Sequence, residues 1–130
     1  MATRERPLSP HLQIYKWQVQ MQTSIYHRAT GIILSFGALL MACGLVALAA
    51  GPESWIEFTR YAGSIPGLVV LLGFTWALSY HLINGIRHLL QDGGLGYRIP
   101  QFVRSSLISM IGSVVLTAII WGVVLTRWGQ

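Results

Sequence analysis

The sequence predicts an all-α integral membrane protein with three transmembrane helices, and three observations carry that prediction. Of the 130 residues, 53% are hydrophobic and only 10% charged, with a mean hydropathy of +0.55. Soluble domains carry roughly a quarter charged residues, so this chain has too few to coat a water-facing surface. Three stretches, 29–51, 61–86 and 105–126, contain no Asp, Glu, Lys or Arg. Each reaches the roughly 20 residues a helix needs to cross about 30 Å of hydrocarbon. A spanning backbone must satisfy its own polar groups, which an unclosed strand in lipid does not do.

Taken in order, the chain opens with a basic segment, 1–28, that holds Arg4, Arg6, Lys16 and Arg28. The first span ends in Ala-Leu-Ala-Ala-Gly at 47–51, a small-residue pattern like a signal-peptidase site. The basic segment before it and the apolar run itself are both longer than a signal peptide uses, so the span is expected to stay. The loop that follows offers Arg60 beside Glu53 and Glu57. Pro66 falls near the start of the second span, where the first turn of a helix tolerates proline. The second loop holds Arg87, Arg98 and Arg104, and the third span completes a single domain over 1–130 without internal repeats.

Positive charge favours the cytoplasmic side. The N-terminus and second loop are therefore expected in the cytoplasm, and the first loop and C-terminus in the periplasm. Trp55, Tyr61, Tyr97, Trp121 and Trp128 lie at or near span ends, as an interfacial aromatic belt does. The N-terminal segment lacks the Arg- and Ser-rich character of an organellar transit peptide, which points to a multi-pass protein of a bacterial cytoplasmic (inner) membrane.

Several functions are excluded. The net charge of +5 is scattered between apolar blocks rather than gathered into a nucleic-acid stripe. The single cysteine, Cys43, forms no disulfide framework. Nucleotide loops, dinucleotide fingerprints, HExxH and nucleophile elbows are all missing. No acidic residue falls within an apolar run, which argues against a transporter built on intramembrane carboxylates.

The second span carries a histidine face. Gly73, Ala77, His81, Gly85 and His88 follow at intervals of four, four, four and three, which keeps them on one side of a helix. The pattern is a groove of small residues with an imidazole in it. It suits a flat macrocycle whose iron takes a histidine ligand, a hydrogen bond between helices, or a proton relay, and the residues alone leave all three open. His81 and His88 cannot serve one iron together, because seven residues separate them by about 10 Å along the axis. A second axial ligand would come from another chain. His81 lies about 9 Å deeper than Arg87 and is the better ligand, while His88 sits near the headgroups. Small residues such as Gly31, Ser35, Gly73, Ala77, Gly85 and Gly112 permit close helix approach, and three short helices call for partner helices.

The other polar cluster starts the first helix. Trp17, Met21, Ser24, Ile25 and Arg28 form an aromatic, soft and hydrogen-bonding face if the segment is helical, although Trp17, Val19 and Met21 also alternate with Gln18, Gln20 and Gln22. Helix is expected from about Met21 onward. The same residues also suit an amphipathic collar anchored by Trp17 and a snorkelling Arg28.

Three motifs in this order, RPLSPHLQIY (6–15), SIYHRATG (24–31) and HLINGIRHLLQD (81–92), resemble the cytochrome b membrane-anchor subunits of succinate dehydrogenase. Gln91 departs from the tryptophan that many relatives carry before the aspartate. The resemblance implies a partner set of a flavoprotein, an iron–sulfur protein and a second three-helix anchor, which together form a haem-holding bundle in the bilayer. It implies one haem b between the anchors, with His81 as an axial ligand and His27, Arg28 and His88 near the propionates. It implies a ubiquinone site at Ser24 and Arg28, lined by Trp17, Met21 and Ile25. The nearest rivals are the anchor of a quinol:fumarate reductase and a haem-free structural anchor.

Overall fold

The computed structural model describes residues 14–127. Arg4, Arg6, His11, most of the 6–15 motif and Trp128 lie outside the described residues. Four helices follow one another: α1 Val19–Ala50, α2 Pro52–Ala62, α3 Ile65–Asp92 and α4 Ile99–Arg127. Helices α1, α3 and α4 are long and apolar enough to cross a membrane, and no strand occurs among the described residues.

The long helices hold 32, 28 and 29 residues, which at 1.5 Å each makes them about 42–48 Å long. They outlast the charge-free runs because lipid excludes charges, whereas the helical backbone continues through the headgroup layer. Helix α1 accordingly begins at Val19, with Gln18 as its extended N-cap, and takes in Arg28. The preceding residues, Trp17 among them, are not helical.

The first loop differs from the sequence expectation, since most of it is helix α2. The local signals are the ordinary ones: Gly51 at φ 118° stops α1, Pro52 opens the next helix, Glu53 sits in its first turn and Arg60 in its last. The polar side carries an exposed Arg60–Glu57 pair at 3.8 Å, worth under about 0.5 kcal/mol. Trp55, Phe58, Tyr61 and Ala62 line an apolar cavity of about 590 Å³ shared with α1 and α3. The α2–α3 turn needs Gly67, because a Cβ there would overlap the Tyr61 and Ala62 carbonyls. Ser64 caps α3 by accepting from the Gly67 N–H at 3.3 Å. At the far end Gly94, φ 84°, closes α3 with the paired bonds Leu95 N–H to Leu90 C=O and Gly94 N–H to Gln91 C=O.

The interior is small and polar, while the large apolar side chains face outward. Ala77 and Tyr80 are the buried hydrophobic residues, whereas Phe36, Val46 and Ile111 are 69%, 68% and 63% exposed. Lipid solvates leucine and phenylalanine as well as a protein core does, so helices associate through small residues and hydrogen bonds. Helix α1 turns Thr23, Thr30, Gly37 and Gly44 inward, seven residues apart. A seven-residue repeat keeps one seam facing its neighbour. Helix α4 turns in Ser106, Ser109, Ser113 and Thr117, and each hydroxyl donates to a carbonyl of its own helix at 2.7–3.1 Å. Their polar groups are thus satisfied without help from α3.

Candidate functional site

The inward face of α1 near its start and the second half of α3 bring three imidazoles together. The His27 ring stacks on His81 with centroids 4.0 Å apart and planes 12° from parallel, and lies 5.1 Å from His88 at 50°. The sequence separates His27 from His81 by 54 positions, and the α1–α3 seam closes that gap. Stacked rings do not aim their nitrogens at one point, so these imidazoles do not chelate a bare ion. Among the described residues no group of three or more His, Cys, Asp or Glu is placed to hold one.

His81 has a defined tautomer. Its Nδ1 lies 3.2 Å from the His27 carbonyl and 3.3 Å from Thr30 Oγ1. A carbonyl only accepts, so the proton belongs on Nδ1, and in the neutral form of the ring Nε2 is the bare lone pair. Thr30 directs its own proton to the Tyr26 and His27 carbonyls at 2.8 and 3.0 Å, which leaves its oxygen free to accept from His81. Gly31 makes room for the ring: a Cβ there would stand 3.3 Å from His81 Cε1.

The expected groove is only partly bare. Ala77 is fully buried, and His27 covers Gly85, His81 and His88 from the side of α1, whereas Gly73 faces open space. His81 and His88 remain half-buried.

Ser24 and Arg28 lie one turn apart on α1, flanking His27. Ser24 is half-buried and Arg28 exposed, with Ile25 at 45% exposure beside them. Met21 continues this face. Its sulfur accepts from the Tyr15 hydroxyl at 3.4 Å, and Tyr15 stands edge-on to Trp17 at 5.9 Å. Trp17 therefore joins the face through Tyr15 rather than by helical spacing. On α1 this set borders the imidazole stack, since Ser24 is three residues before His27 and Arg28 follows it directly. Neither the 590 Å³ cavity nor a second of about 540 Å³ beside Tyr26, Trp76 and Tyr80 is lined by Ser24, Arg28 or His81.

A buried polar junction escaped the sequence reading. Arg87, counted there as a loop charge, lies within α3 and is 7% exposed. It donates from Nε to Asn84 Oδ1 at 3.0 Å and from Nη2 to Thr23 Oγ1 at 3.3 Å, with its guanidinium 5.0 Å from the centroid of the Phe102 ring. Tyr80 donates to the Thr23 carbonyl at 3.0 Å. The available signal was the run Tyr80, Asn84, Arg87, Gln91 at intervals of four, three and four, a second polar face beside the histidine one.

Comparison with known proteins agrees with this architecture. Residues 2–120 match the family model of the succinate dehydrogenase/fumarate reductase transmembrane subunit. The chain is 42% identical over 114 residues to the succinate dehydrogenase cytochrome b556 subunit of Paracoccus denitrificans, covering 88% of each. It is 38% identical over 117 residues to the subunit of that name from Rickettsia bellii, covering 90% of this chain and 91% of the relative. The human mitochondrial cytochrome b560 subunit is 40% identical over 111 residues, which cover 84% of this chain and 66% of the longer human one.

Proposed function

The chain belongs to the succinate dehydrogenase/fumarate reductase transmembrane-subunit family, and from that premise we propose that it anchors a succinate dehydrogenase, holds one haem b and forms part of its ubiquinone-reduction site. The observation that carries the haem reading is the His27 carbonyl accepting from His81 Nδ1. Histidines that ligate metals usually donate their other ring N–H to a carbonyl or carboxylate, which sets the ring and strengthens the bare nitrogen. His81 meets that requirement within its own chain. It would hold the haem iron from this chain, and a second three-helix anchor would complete the binding site. His27, stacked on it, His88, tilted against His27, and Arg28 would attend the propionates. When bound, the haem supplies a one-electron redox centre within the bilayer.

The outward face of α1 binds the quinone. Converting a quinone to its quinol adds two electrons and two protons at carbonyl oxygens that gain negative charge on the way. Ser24 donates a hydrogen bond to one such oxygen, and Arg28, always protonated, stabilises the developing charge in a site of low dielectric constant. Trp17, Met21 and Ile25 enclose the apolar ring. The exposure of Trp17 and Ile25 in the single chain fits a pocket whose remaining walls belong to the iron–sulfur subunit and the second anchor. Succinate oxidation itself falls to the flavoprotein. The N-terminus lies in the cytoplasm and the C-terminus in the periplasm, which puts both sites at the cytoplasmic side of an inner membrane.

The test is a reduced-minus-oxidised spectrum of the purified complex. Wild type is expected to show a b-type signal that His81→Ala loses or shifts; an unchanged spectrum in the variant removes His81 as ligand. The quinone reading predicts that Arg28→Ala lowers quinone reduction about a hundredfold and Ser24→Ala roughly tenfold. Succinate oxidation by a soluble artificial acceptor should hold in both. Equal loss of the two activities would refute the assignment.

A further inference from the structure

Arg87 sits at the junction of α1, α3 and α4 with neutral partners on every side that the described residues supply. Its hydrogen bonds go to an amide oxygen and a hydroxyl, and its plane lies near a phenyl ring. The one ion pair among the described residues, Arg60–Glu57, is in α2. Asp92, five positions on, is exposed at the end of α3 and makes no ion pair among the described residues. The unpartnered buried polar atoms on this face of α3 are donors, while α1 leaves Gln20 Oε1 and His27 Nδ1 unpartnered. Arg87 Nη1, Asn84 Nδ2 and Gln91 Nε2 are all donors without acceptors, on residues that are 7%, 0% and 7% exposed. Neutral partners satisfy hydrogen bonds and leave the charge standing, and a phenyl face retains it as well. A guanidinium does not shed its proton to escape the cost of burial.

This charge stands behind the imidazole stack. Arg87 adjoins His88 in sequence, its partner Thr23 lies one turn before His27, and His81 is six residues away on the same helix, about 9 Å along the axis. At such a distance in a buried setting, screening by salt is slight. An electron added to a haem held at His81 would lower the charge there beside a fixed positive one, which favours the reduced state. We propose that Arg87 is a potential-setting residue: its unneutralised buried charge raises the reduction potential of the haem held by His81. The inference rests on the reading of His81 as an iron ligand. Arg87 touches no reacting atom, and its effect travels through space.

The experiment is a redox titration of the b-type absorbance in the intact purified complex. Arg87→Gln removes the charge at nearly the same shape and should lower the midpoint potential while the reduced band keeps its position. Arg87→Lys keeps the charge and should stay near wild type. Asn84→Asp sets a carboxylate against the Arg87 Nε without touching Arg87, and should lower the potential as well; it carries the test if Arg87→Gln does not assemble. An unmoved potential in Arg87→Gln or Asn84→Asp would mean that a partner group already neutralises the charge, and overturns the proposal. Equal shifts in Arg87→Gln and Arg87→Lys would assign the effect to geometry and overturn it too. A wild-type complex without b-type absorbance, or His81→Ala that retains the wild-type signal, defeats the His81 reading itself and is told apart from both.

Discussion

Thr23 and Thr30 in the first half of α1 occupy the same seven-residue seam as Gly37 and Gly44 in the second half, yet the two halves are joined to the rest of the chain by different physics. In the threonine half hydrogen bonds cross between the helices: Tyr80 and Arg87 donate to Thr23, and His81 meets Thr30 and the His27 carbonyl. In the glycine half, contact is shape. The Phe74 ring fills the space a Cβ would take on Gly37, and the Phe58 ring lies 3.0 Å from where a Cβ on Gly44 would stand. An unmet polar group in lipid costs several kcal/mol, so the threonine half accepts few alternative arrangements. The glycine half gains only dispersion, which depends on distance more than on direction. The imidazole stack lies in the half where side-chain orientation is determined.

The largest expected effect that would break this contrast is in the glycine half. Gly37→Ala should destabilise the folded subunit by about 1–3 kcal/mol, a usual cost of overpacking. Phe74 would have to turn into the neighbouring 590 Å³ cavity, which it already lines. Thermal unfolding of the purified complex measures the loss, with the haem band unmoved; a shifted band would show that the halves are coupled.

Thr30→Val tests the threonine half at constant volume. It should cost about 0.6 kcal/mol, the mean worth of a side-chain hydrogen bond between membrane helices. The effect should appear mainly in the haem spectrum, because His81 loses one of its two Nδ1 acceptors. A stability loss without any spectral change would demote Thr30 to packing.

Gly73→Ala is the smallest. Nothing lies within 4 Å of its new Cβ, so the single subunit should change by less than about 0.5 kcal/mol. A large loss in the assembled complex alone would mark Gly73 as a contact with the partner anchor.

Much of the architecture was legible because lipid imposes a coarse rule. Charge-free runs of the required length report spans, and intervals of three and four report helix faces, so His81 and His88 were correctly set on one side of α3. Helix α2 left a weaker trace: Pro52, Glu53 and Arg60 mark its ends, but its 11 residues are too few to span and its mixed charges resemble a loop. Arg87 was misread for a related reason. An arginine at the end of an apolar run ordinarily reaches for the headgroups, and its inward turn depends on Thr23, which is 64 positions away, and on Phe102.

The sequence alone determined that the chain is helical and membrane-spanning, and its motifs carried the family resemblance, since hydropathy, periodicity and short patterns are local properties. Only the tertiary structure decided that His27 stacks on His81, that a backbone carbonyl selects the tautomer of that ring, and that Arg87 is buried among neutral partners. Those facts arise where two helices meet, and neither helix taken alone contains them.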